Sequence, residues 1–68
     1  MERRRIWEVE KKEVSNLTKA ETFLNEFRTR AQKEAGELHP GEEWDEWQDI
    51  TGRPGCYLVK IRMEIVTT

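Results

Sequence analysis

The stretch "CYLVKIRMEIV", Cys56 to Val66, decides how the chain folds. Its odd positions Tyr57, Val59, Ile61, Met63 and Ile65 are all apolar, while the even positions Lys60, Arg62 and Glu64 are charged. Successive strand side chains point to opposite faces, so this period of two predicts a half-buried strand of about ten residues. One face lies on a core and the other in water, as antiparallel sheets allow.

Just before it, "TGRPG", Thr51 to Gly55, has the composition of a turn: glycines for positive φ and a proline to set the corner. A strand ahead of that turn would complete a hairpin, and the segment available is "EEWDEWQDI", Glu42 to Ile50. As a strand it puts Trp44 and Ile50 on one face with Glu46 and Gln48, and Trp47 on the other between Asp45 and Asp49. A short helix after Pro40 competes, because Glu42 and Glu43 suit a first turn and Trp44 and Trp47 would then share a side. The strand is preferred. Two strands alone are marginal, whereas three packed on a helix can stand.

Further upstream, "RRRIWEVEKKEV" predicts a first strand over about residues 4–14, with Trp7 and Val9 on one face and Ile6, Glu8 and Glu10 on the other. Its many charges suit an edge. Between the strands, "LTKAETFLNEFRTRAQKEAG" predicts a helix. Thr18 and Glu21 have the spacing of a capping box. Ala20, Phe23, Leu24, Phe27 and Ala31 form one apolar stripe. Gly36 is placed to end the helix at positive φ, and Arg28, Arg30 and Lys33 complement the macrodipole. The expected architecture is α+β: β-α-β-β, one helix on a small, mostly antiparallel three-stranded sheet whose other face is partly uncovered. Residues 1–68 form a single small domain on this reading.

Composition sets the energetic problem. Only 35% of the 68 residues are hydrophobic and 38% are charged, a balance that would favour disorder if the apolar residues were scattered. They fall instead in periodic blocks, reinforced by three Trp, two Phe and one Tyr. A domain this short is marginal, and Cys56 is the only cysteine, so no intramolecular disulfide can help. Homo-oligomerisation is the remedy left. His39 is the only histidine, which excludes the usual zinc sets within one chain. No segment has the look of a signal peptide or a membrane span, so a cytoplasmic protein is expected. The triplet Asn16-Leu17-Thr18 has meaning as a glycosylation site only after secretion.

Among functional candidates, the two tryptophans of residues 42–50 come first. One, Trp44 with Trp7, is expected to pack the sheet on Phe23 and Phe27. The other, Trp47, is expected on the open face. Interfaces are enriched in such aromatics, so Trp44, Trp47, Asp45 and Asp49 are the candidate ligand- or partner-binding residues. The five carboxylates of this stretch lack the spacing and central glycine of an EF-hand. A solvated acidic surface is the plainer account, and mimicry of nucleic-acid phosphates suits a net charge of −2 poorly. Arg3, Arg4, Arg5 and Trp7 could contact nucleic acid through phosphates and stacking, but Glu2, Glu8 and Glu10 dilute that patch. No motif supports catalysis or a metal site: His39 has no partner at motif spacing, and no Walker loop, GxGxxG or nucleophile elbow occurs. "TGRPG" leads into a strand, not a helix N-terminus, so it cannot cradle phosphate.

The order β-α-β-β, a Trp in the middle strand and a last strand of the form "YLVKIRMEI" resemble the dodecins. That resemblance implies a flavin-binding dodecamer in which Trp44 or Trp47 stacks on the isoalloxazine. The chain departs from the family's pattern in a shorter hairpin turn, a longer helix-to-strand loop, and Leu58 near the place of an expected glutamine. The expected function is therefore a non-enzymatic, self-associating interaction or regulatory module, with dodecin-like binding of flavin or another planar ligand and small nucleic-acid binding as alternatives.

Overall fold

The structure, a computed structural model, describes residues 3–67. The elements are β1 (Ile6–Val14), α1 (Leu17–Ala35), β2 (Glu42–Arg53) and β3 (Cys56–Thr67). The strands form one antiparallel sheet in the order β1-β3-β2, the expected α+β arrangement. β1 and β2 each run against β3 and so run parallel to one another. Parallel strands need a crossover, which α1 supplies, and β3 fills the gap between them. The strand with the cleanest alternation is thus the central one.

The core lies between α1 and the sheet. β3 contributes Val59, Ile61, Met63 and Ile65, each at most 2% exposed. Their period of two meets the helix stripe of period 3.6, from which Ala20, Leu24, Phe27 and Ala31 are buried. Trp7 completes the cluster, with Val9, Val14, Phe23, Trp44 and Ile50 packed at its margin. The segment 42–53 is a strand paired with β3 in unbroken register, so the competing helix after Pro40 does not form. β3's second edge would otherwise leave a row of backbone donors and acceptors without a ladder.

β1 begins at Ile6, two residues after the expected start, although the Arg5 carbonyl still accepts from the Ile65 N–H at 2.8 Å. Its register steps from Val9↔Ile61 to Lys12↔Val59, so Glu10 and Lys11 together oppose Lys60. This β-bulge adds one residue to the edge strand. Val9 and Val14 have opposite parity, and the extra residue is what lets both reach the core side.

The helix start corrects the expected capping box. The cap is Asn16, in extended conformation, whose side-chain oxygen accepts from the Lys19 N–H at 2.8 Å. Thr18 therefore lies inside the first turn, and Glu21 has no cap to reach back to. At the other end Gly36 stands where expected, with φ 73° and ψ −157°, and its N–H bonds the Gln32 carbonyl. That dihedral pair is open essentially to glycine alone. In the β2–β3 hairpin Arg53 pairs with Cys56 across Pro54 and Gly55, and Gly55 holds φ 98°. Proline followed by positive-φ glycine is a type II turn. The Gly55 N–H also bonds the Ser15 carbonyl at 3.0 Å, fixing the tip to the β1–α1 junction.

Candidate functional site

The two faces of the sheet differ in chemistry. On the helix side β2 presents Trp44, Glu46, Gln48 and Ile50, as its parity requires. Trp44 lies 5.3 Å from Trp7, ring centroid to centroid, tilted by 56°. Trp7 is 3% exposed and donates its indole N–H to Glu34 at 2.6 Å. The polar pair in this apolar row is met by Arg28, which donates to Glu46 at 2.9 Å and to Gln48 at 2.5 Å. Arg28 thus joins helix to edge strand, a role beyond complementing the macrodipole. The available signal was two polar residues alternating with Trp44 and Ile50 on a face that had to meet the helix.

Arg3, Arg4 and Arg5 turn inward on their own chain. Arg3 donates to Glu42 at 2.7 Å and to the carbonyls of Ala35 and Glu37, the latter two closing the end of α1. Arg5 holds the other Glu42 oxygen at 3.0 Å, and the His39 backbone N–H donates to Glu42 at 2.8 Å. The Glu42 side chain is only 7% exposed. The His39 N–H and the two guanidinium groups hold its carboxyl down at about 2, against an ordinary 4.5. Arg4 pairs with Glu34 at 3.3 Å and sits over the Trp7 ring. A nucleic acid would have to compete with Glu42 and Glu34 for these cations, and Trp7 would have to leave the core to stack on a base.

The open face carries the other half of the tryptophan pair. Trp47 is 56% exposed, opposite Arg62 on β3, with Asp45 and Asp49 on either side along the same face. Ile6, 44% exposed, stands across the sheet on β1. Beside Trp47 the surface dips into a shallow depression of about 390 Å³ lined by Glu8, Glu10, Lys11, Lys60 and Arg62. The bulge borders this hollow: Glu10 and Lys11, and the single Lys60 that they together oppose, all line it. Sequence reasoning placed Trp47, Asp45 and Asp49 on this face and Lys60 and Arg62 on the water-facing side of the last strand, but it did not join those two to Trp47 and it missed Lys11. The opposite parities of Val9 and Val14 were the one hint of a bulge.

Among the described residues no group of three His, Cys, Asp or Glu could hold a metal ion. Among them too, no helix is long and apolar enough to cross a membrane. Cys56 is exposed, 3.6 Å from Glu13.

No family model, curated protein or solved structure matches the chain. The dodecin resemblance stays at element order, and of its two candidate stacking residues Trp47 stands in the open while Trp44 packs on Trp7.

Proposed function

We propose that the protein is a non-enzymatic, self-associating interaction module that works through the uncovered face of its sheet. The observation that supports this most is Trp47, an indole 56% exposed on a β-sheet face that no other element among the described residues covers. Exposed aromatics of this size on a small domain are typical anchors of protein interfaces. The edges of the sheet are poorer candidates. β1 is bulged and charged, and two copies of β2 would align carboxylates against carboxylates, both devices that discourage edge pairing. The face is also large enough. Twelve-residue strands span about 40 Å and three strands about 14 Å, so two copies would bury on the order of 1,100 Å² in projection. Native mass spectrometry tests the reading. Species above 8.2 kDa are expected, and a clean monomer at millimolar concentration would overturn it.

A second reading has its own observation: the depression sets Lys11, Lys60 and Arg62, together with Glu8 and Glu10, around an exposed indole. The indole offers a stacking surface to a flat ligand with polar edges, of which a flavin is one. Tryptophan fluorescence that ignores added flavin mononucleotide would remove the flavin form of this reading.

A further inference from the structure

We infer that the outer edge of β2 accepts an added β-strand from a partner protein, an extended segment with lysine or arginine on one face and aliphatic side chains on the other. This goes beyond self-association through the open face, because a different part of the sheet receives the partner.

Backbone direction comes first. The Ile65 N–H donates to the Arg5 carbonyl, on the β1 side of β3. Backbone groups alternate in direction along a strand, so Glu64 and Val66 turn theirs toward β2, where they pair with Asp45 and Glu43. The two-residue hairpin agrees, since its closing pair, Arg53 and Cys56, has the same parity. On β2 the amides of Trp44, Glu46, Gln48 and Ile50 therefore point away from β3, and no strand among the described residues lies beyond them. This edge runs for about 20 Å at strand spacing, with neither bulge nor proline. Asp45, Glu46, Trp47 and Gln48 are exposed in succession along it. A row of unpaired donors and acceptors of this kind is a template for another chain.

The flanking side chains specify the chemistry of that chain. On the open face, Glu43 and Asp45 enter no ion pair among the described residues. Asp45 stands opposite Glu64 rather than a cation, and Glu43 opposite Val66. Cations on the added strand would lie beside these two carboxylates and within reach of the Trp47 indole. On the helix face, a hollow of about 290 Å³ lies between α1 and the same edge, lined by Glu21, Leu24, Asn25, Arg28, Gln48 and Ile50. An added strand sends alternate side chains to that side, where Leu24 and Ile50 offer apolar contact to an aliphatic group. The carboxylates that set two copies of β2 against each other thus select a strand of opposite charge.

Amide exchange with solvent, read by NMR on the full chain with a synthetic peptide of alternating lysine and valine, tests this. At about ten times its dissociation constant the peptide is expected to slow exchange at Trp44, Glu46, Gln48 and Ile50 about tenfold, since these amides then exchange only from the free edge. The variant carrying Glu43→Lys and Asp45→Lys is expected to bind that peptide about tenfold more weakly or worse, and to take up the glutamate–valine counterpart that the parent chain rejects. Far-UV circular dichroism checks its fold; should it unfold, Asp45→Lys alone makes the same comparison. A peptide that binds without protecting the four amides is held by charge alone and overturns the strand addition. Absent binding, or binding that ignores the charge reversal, overturns it too. Protection that appears without peptide and grows with protein concentration gives the edge to a second copy and overturns the partner. A monomeric chain that takes up the peptide in the expected way removes self-association and leaves strand addition standing; an oligomer that ignores the peptide does the reverse.

Discussion

Gly52 holds φ at 113° in the strand before the hairpin, and a Cβ built there would fall on the Cys56 carbonyl oxygen. Gly55, at φ 98°, has open space around it. Alanine at a left-handed position costs about 1–2 kcal/mol from its own backbone, which is all Gly55→Ala is expected to lose. Gly52→Ala adds the collision with β3 and is expected to lose about 3 kcal/mol or more. Denaturant unfolding of the two variants separates these outcomes; equal losses would mean that the ladder shifts to admit the methyl. Asn16 offers a second comparison. Asn16→Ala removes the cap and is expected to cost about 1 kcal/mol, whereas Thr18→Ala, two positions inside the helix, should stay within about 0.5 kcal/mol by the same measurement. Asn16 and Thr18 are both good caps by type. The sequence does not separate them, because the cap is defined by where the backbone leaves the extended region, and packing of the Ala20–Leu24 face sets that point.

Among the elements, β3 and α1 are legible because each buries one complete face. Phe27 is the largest ring the helix places in the core, and Phe27→Ala is expected to cost about 3–5 kcal/mol through lost burial and the cavity left behind. An unchanged thermal transition would show that the stripe is misplaced. β2 reads less clearly, since only Trp44 and Ile50 mark its inner face and Glu46 and Gln48 interrupt it. What makes it a strand is the hydrogen-bonding edge of β3, together with Arg28 reaching across to the interrupting pair. β1 is legible as far as Val9. Beyond that, the bulge resets the alternation, and a local pattern with an inserted residue looks the same as a pattern that has ended.

Glu42 ties distant parts of the fold together, joining the segment ahead of β1, the loop after α1 and the start of β2. Its carboxyl is held at about 2 in the folded chain against 4.5 ordinarily. A depressed carboxylate contributes stability that is fully present above its unfolded value and is lost as pH falls through its folded value. The contribution should therefore decline between pH 4.5 and about 2. Glu42→Gln is expected to be less stable at neutral pH and to approach the parent chain across that window. Unfolding free energies of both proteins over the acid range check this, and a constant gap between them would sink it. The molecule measures 42 × 19 × 18 Å with a radius of gyration of 13.5 Å, against about 11 Å for a compact chain of this length. Such an elongated shape leaves much sheet exposed relative to core. If that surface is an interface, the melting temperature should rise with protein concentration, since association stabilises the folded state by mass action. A melting temperature independent of concentration from micromolar to millimolar would oppose it.

Local periodicity carried the identity of β3 and α1, the parity that sets Trp47 apart from Trp44, and the shortage of core that one helix and one sheet face leave. Those properties repeat every two or three to four residues, so neighbouring side chains suffice to encode them. The central place of β3, the bulge and its lysines, and the inward turn of Arg3, Arg5 and Arg28 depend on residues many positions apart meeting in space. Arg3 and Glu42 are separated by 39 positions, and no pattern along the chain records which carboxylate a guanidinium will find. That choice is made by the folded backbone, which brings a few groups within reach and holds the others away.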